Sequence, residues 1–182
     1  MQLASPFVQK QLVARNLADR KRKLWDYIRD NIATGMAWAL FEEAWHQLIQ
    51  NKGLPNFKML GRRLHDNEER IVTVQGALDS VVVQRETPAK VRSGRYYQPK
   101  SKTFVAVDGW SAQGFFQVTM ARRHHIAPGG ATSQFRKVLA YLHKENGGAP
   151  VRFFFVVPKA VFFSSSYTLQ QWVYGCALSA AS

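Results

Sequence analysis

The spacing of apolar residues changes several times along the chain, and each change marks a different element. Between Gly35 and Gln50, Ala37, Leu40, Phe41, Ala44, Trp45, Leu48 and Ile49 recur at the helical period and give one broad core-facing stripe. Gly53 and Pro55 follow as breakers. Upstream, Phe7 to Arg29 holds good helix formers around a basic block, Arg20, Lys21, Arg22 and Lys23. Leu24 and Ile28, four apart, supply one docked edge. The pattern predicts a basic helical arm over 1–34 and a folded domain over 35–182. The arm's basic block suits either phosphate contact or plain solvation.

Three short runs, Lys58 to Leu64, Ile71 to Gln75 and Leu78 to Gln84, carry strand-forming residues between turn residues and predict an antiparallel meander. Arg85 to Lys102 contains Pro88, Ser93, Gly94 and Pro99, and its cations Arg85, Lys90, Arg92, Arg95, Lys100 and Lys102 face only Glu86. It reads as a basic loop interleaved with Tyr96 and Tyr97. Thr103 to Val107 and Gly114 to Thr119 read as the arms of a hairpin, joined by Asp108, Gly109 and the residues to Gln113. Arg122, Arg123, His124, His125 and a turn at Pro128, Gly129 and Gly130 come next.

Phe135, Val138, Leu139 and Leu142 predict a helix from Ser133 to Lys144, terminated by Asn146, Gly147 and Gly148. Val151 to Val157 is too apolar for a half-exposed strand. With a helical crossover before it, it should be a buried strand parallel to its neighbour, stopped by Pro158. Leu169 to Leu178 adds a last strand or short helix. The fold class expected is α/β.

Composition narrows the partner. A chain of 182 residues with 46% hydrophobic and 13% aromatic content can bury one core. Lys and Arg total 25 against 12 acidic residues, a formal charge of +13 with a pI near 10.2. Such an excess points to a polyanion, with nucleic acid, DNA or RNA, ahead of anionic lipid. A larger protein or ribonucleoprotein assembly is a further expected partner. Cys176 is the single cysteine, which excludes an intramolecular disulfide and a cysteine-cluster zinc site. No apolar run reaches the roughly 18 residues of a membrane span, and no signal-peptide core follows Met1. The expected location is intracellular, the nucleus ahead of the mitochondrion. The first 18 residues lack Asp and Glu and carry Lys10 and Arg15, a composition shared with mitochondrial presequences, but an ordinary arm explains them as well.

No GxxxxGK[ST] loop, serine nucleophile elbow or paired-His zinc helix is present. What remains is ordered. Glu42 lies on the first core helix, Asp108 follows a hydrophobic run, and Gln117 and Thr119 stand two apart in the next strand, on one face. A helix carboxylate, a strand-end Asp and such a polar pair form the oxygen set with which restriction-endonuclease-like nucleases hold Mg²⁺ or Mn²⁺. In the PD-(D/E)xK pattern the second member of the pair is Lys. Thr119 cannot supply that positive charge, which leaves His124 or Lys102 to substitute.

Four segments, ALFEEAWHQLI from Ala39, YYQPKSKTFVAVD from Tyr96, FFQVTMARRHHI from Phe115 and VRFFFVVP from Val151, occur in this order. Together they resemble the C-terminal domain of Crinkler effectors and retrotransposon hot spot proteins, over nearly all of residues 35–182. The resemblance implies a restriction-endonuclease-like core and an intracellular effector role. It puts the family's helix Glu on Glu42, its helix His on His46, its strand-end Asp on Asp108, its Gln-x-Thr on Gln117 and Thr119, and its following His on His124. Larger members carry an NTPase module that this chain is too short to hold.

Each residue has a structural alternative. Glu42 and His46 can simply pair at i, i+4; Asp108 before Gly109 suits a turn; Gln117 can cap a strand edge, and Thr119 has ordinary β propensity. His124 and His125 beside Arg122 and Arg123 fit phosphate contact better than metal ligation. Tyr96, Tyr97 and Trp110 are candidates for stacking on bases or for packing into the core. Two readings follow: a DNA-binding domain with metal-dependent phosphodiester cleavage through Glu42, Asp108 and Gln117, or an inactive copy of the fold serving as a structural nucleic-acid-binding subunit of a ribonucleoprotein or chromatin complex.

Overall fold

The computed structural model describes residues 8, 11, 26–28, 30–31, 34–62, 68–83, 91–100, 107–119, 123–125, 133–158 and 168–170. Helix α1 spans Gly35–Gln50, as the apolar period predicts. Thr34 caps it in an extended conformation, its Oγ1 accepting from the Ala37 N–H at 3.2 Å. At the other end the Asn51 N–H reaches the Leu48 carbonyl, and the Asn51 side chain accepts from the Gly53 N–H at 2.9 Å. The stripe from Ala37 to Ile49 is buried, and His46 is buried with it. Ile28 packs into the same cluster, so the predicted docking edge of the arm is present there. Leu24 and the basic block from Arg20 to Lys23 lie outside the described residues.

Nine strands follow among the described residues: β1 (Asn56–Arg62), β2 (Glu69–Gln75), β3 (Asp79–Val83), β4 (Arg95–Pro99), β5 (Gly109–Ser111), β6 (Gly114–Val118), β7 (Arg123–His125), β8 (Phe153–Val156) and β9 (Thr168–Gln170). Helix α2 (Ser133–Glu145) lies between β7 and β8. The main sheet has the order β3-β4-β5-β6-β8. β3 and β4 run parallel, β4, β5 and β6 alternate, and β8 returns parallel to β6 after α2. β1 and β2 form a separate antiparallel ribbon, and β7 pairs with β9 in parallel. The architecture is mixed α/β.

The two-residue period of the strands sends consecutive aromatics to opposite faces. Tyr96, Phe116, Val118, Phe154 and Val156 pack with α1, joined by Phe57, Met59, Val72 and Val74 of the ribbon. Tyr97, Trp110, Phe115 and Phe153 pack with Phe135, Val138, Leu139 and Leu142 of α2. Phe116 stacks on Phe154 at 4.9 Å, which ties the meander to the crossover strand. Burial of each such side chain contributes about 2–3 kcal/mol before entropy is counted.

Several expectations are corrected. The three early runs do not form one meander, because β3 leaves β2 and pairs with β4. At Gly76–Leu78 the chain is anchored to the end of α1: the Leu78 N–H bonds to the Ile49 carbonyl, and Lys52 Nζ bonds to the Ala77 carbonyl at 2.8 Å. Those bonds turn the chain into the other sheet. Residues 95–99 are strand β4 rather than basic loop. The hairpin arms are β5 and β6, so Gly109–Ser111 is strand and not connection; Val107 is buried outside any strand, and 103–106 lie outside the described residues. Tyr96, Tyr97 and Trp110 are all buried in the core and present no surface to a base. Gln117 cannot cap an edge, because β6 lies between β5 and β8. The helix at Ser133 and the parallel buried strand after it stand as predicted. Of the last run, Leu169 and Gln170 lie in β9, and the rest lies outside the described residues.

Candidate functional site

Asp108 stands where the chain enters β5, its N–H bonded to the Phe116 carbonyl at 2.9 Å. Its Oδ2 accepts twice, from the Val118 N–H at 2.6 Å and from Gln117 Nε2 at 2.7 Å. The strand-end Asp and the Gln of the next strand, nine residues apart in sequence, are therefore in direct contact. Burial is the main cause that pushes the Asp108 carboxyl up to about 7. The Glu42 carboxylate raises it further, while the Val118 N–H and His46 act against the rise. The Glu42 charge on α1 is thus felt at the Asp108 carboxyl.

Gln117 and Thr119 are both buried and share a face by strand alternation. Gln117 donates to Asp108 and, at 3.5 Å, to the Val118 carbonyl. Its Oε1 is buried with no hydrogen-bond partner among the described residues. An orphaned buried acceptor of this kind is uncommon and calls for a ligand or water. The Thr119 N–H bonds to the Val156 carbonyl at 2.9 Å, which fixes this residue in register beside β8.

On the α1 side, His46 is 7% exposed. Its Nδ1 lies 2.9 Å from the Tyr96 hydroxyl, and its Nε2 lies 3.7 Å from Glu42 Oε1. The i, i+4 pairing of Glu42 and His46 is thus present, with a third member, Tyr96, that residue spacing does not single out for this role. Burial, far more than the nearby Asp108 and Glu42 charges, pushes the Tyr96 phenol well above its ordinary value, so it stays neutral. The Trp45 indole opposes that rise, although its Nε1–H has no partner of hydrogen-bond geometry among the described residues. A Cβ on Gly109 would collide with the Tyr96 hydroxyl and ring, so the residue after Asp108 has to be glycine for Tyr96 to lie against the start of β5. The sequence conceals Tyr96 because the density of cations from Arg85 to Lys102 resembles a loop. The two successive aromatics between Gly94 and Pro99 are the signal that marks a strand there.

Among the described residues, no group of three His, Cys, Asp or Glu side chains is gathered as a metal site. A divalent cation here would take Asp108, Glu42 and the amide oxygen of Gln117. These donors fit a hard ion: all are oxygens, one is orphaned, and two are like charges whose repulsion a cation would relieve.

The predicted basic face is only partly described. Arg92 and Lys100 are exposed. Arg95 lies 3.6 Å from Asp79, whose carboxyl is held below its usual value first by the hydrogen bond from Lys52 at 2.6 Å. Arg85, Lys90, Lys102 and Arg122 lie outside the described residues, and Arg123 and His124 are described only as backbone of β7. No helix among the described residues is long and apolar enough to cross a membrane. Compared with protein-family models, curated proteins and solved structures, the chain matches none.

Proposed function

We propose that the chain is a nucleic-acid-binding domain with restriction-endonuclease-like topology, in which Glu42, Asp108 and Gln117 hold a divalent cation. The direct Gln117–Asp108 bond beneath an orphaned Gln117 oxygen carries this reading. Supporting it, α1 precedes the antiparallel strands β4, β5 and β6, and α2 precedes β8, which runs parallel to β6, with β1–β3 interposed after α1 and β7 before α2; Glu42 lies on α1, Asp108 just before β5 and Gln117 on β6. The Crinkler and retrotransposon hot spot resemblance assigns the same residues. The formal charge of +13 supplies the attraction to phosphate.

A bound Mg²⁺ or Mn²⁺ would supply Lewis-acid polarisation of a phosphodiester. The chain's own contribution is to keep Asp108 in place through the Val118 N–H, to offer the Gln117 amide beside it, and to bring the Glu42 charge to bear from α1. Thr119 favours a second reading, a copy of the fold kept for binding alone, because it is buried and uncharged where the nuclease motif has lysine.

Thr119→Lys separates the two. On the first reading, the purified variant with Mn²⁺ nicks DNA faster than wild type, and chelation or an added Asp108→Ala abolishes the activity. A folded Thr119→Lys protein that binds DNA but yields no metal-dependent product would leave only the binding subunit.

A further inference from the structure

We infer that Tyr96 is a positioning residue of the candidate site, fixing the His46 imidazole so that its Nε2–H faces the Glu42 carboxylate. The inference rests on the reading of Glu42 and Asp108 as a cation site and adds a residue to it.

The Tyr96 hydroxyl lies 2.9 Å from His46 Nδ1 in a fully buried setting, and the other ring nitrogen is 3.7 Å from Glu42 Oε1. Among the described residues, the titratable groups that interact around His46 are Glu42 on its own helix, Tyr96 on β4 and Asp108 before β5. Of these, Tyr96 is the group at hydrogen-bond distance from Nδ1, and Glu42 is the group that faces Nε2. A carboxylate oxygen accepts, which favours the proton on Nε2, and a phenol has one proton to give to Nδ1. With Tyr96 donating to Nδ1, the neutral ring must carry its proton on Nε2, the atom nearest Glu42. The same hydroxyl occupies the space that a side chain at position 109 would need, so Tyr96 touches the start of β5, which follows Asp108, as well as the helix that carries Glu42. This matches the way outer groups orient metal-binding side chains through a histidine tautomer.

The test uses full-length protein labelled with ¹⁵N at histidine, with nitrogen chemical shifts read for His46 at neutral pH, together with Mn²⁺ titrations. Wild-type His46 should be a single Nε2–H tautomer. In Tyr96→Phe, which keeps the ring and removes the hydroxyl, the tautomers should mix and Mn²⁺ affinity should fall about tenfold or more. A wild-type His46 protonated on Nδ1 when neutral overturns the inference, and this reading needs no folded variant. Equal Mn²⁺ affinity in wild type and Tyr96→Phe overturns it too. If wild type binds no Mn²⁺ while the tautomer still depends on Tyr96, the cation reading fails and the positioning of His46 by Tyr96 stands.

Discussion

Gln117 donates its amide N–H to the Asp108 carboxylate at 2.7 Å, and this bond joins the start of β5 to the end of β6. It holds two oxygen-bearing side chains together in a region that burial has made hostile to charge. Asp108 consequently carries a conflict: its usual ionised form is opposed by burial and by Glu42.

That conflict predicts a pH-dependent stability. The carboxyl titrates at 3.8 in ordinary surroundings and at about 7 in the fold. Between these values the folded protein binds more protons than the unfolded chain, so this group's contribution falls as pH rises from about 4 to about 7. Asp108→Asn removes the charge and keeps the shape. In urea unfolding it should be about 2–4 kcal/mol more stable than wild type at about pH 8 and roughly equal to it near pH 4. A constant difference across that range would contradict the assignment.

Cation binding should follow the same titration in the opposite sense. An ion at Asp108 must displace its proton, so apparent Mn²⁺ affinity should drop about tenfold per pH unit below about 7 and level off above it. Titrations at about pH 5.5, 6.5 and 8 measure this, and a flat profile would remove Asp108 from the ligands.

How much of this is legible in the sequence depends on the kind of signal. The stripe from Ala37 to Ile49 is periodic, and α1 begins and ends where the periodicity does. The run from Val151 has no polar face, and it forms a strand enclosed against β6. Pairing is not legible. Which strand lies beside β2 is decided by bonds from Leu78 to Ile49 and from Lys52 to the 77–79 turn, far apart in sequence. At the site, the order of Glu42, Asp108 and Gln117 is visible from residue type and spacing. For Tyr96 the sequence leaves surface stacking and core packing both open because its neighbours are cationic; β4 is covered on both faces, so Tyr96 and Tyr97 are both buried.

Helix α1 carries Glu42 and His46, so its cap supports the site. Thr34→Ala removes the acceptor for the Ala37 N–H and should lower stability by about 1 kcal/mol, read from the urea midpoint at unchanged slope. A loss below about 0.3 kcal/mol would mean that water replaces the cap fully.

Nucleic-acid affinity should be strongly salt-dependent. Replacing Arg92, Arg95, Arg122 and Arg123 together by Ala should flatten the plot of log affinity against log salt by about 0.9 for each phosphate that the variant no longer neutralises. Arg95→Ala alone should change it least, since Asp79 already lies 3.6 Å from that side chain and offsets part of its charge. An unchanged slope in the quadruple variant would move the interface to the N-terminal arm.

Mn²⁺ binding followed by electron paramagnetic resonance at about pH 8, above the Asp108 titration, tests the cation site most directly. Wild type should hold a single Mn²⁺ that Mg²⁺ displaces, and both Asp108→Ala and Gln117→Ala, checked for folding, should release it. Wild type that binds no ion, or a folded Asp108→Ala protein that binds as tightly as wild type, would contradict the account.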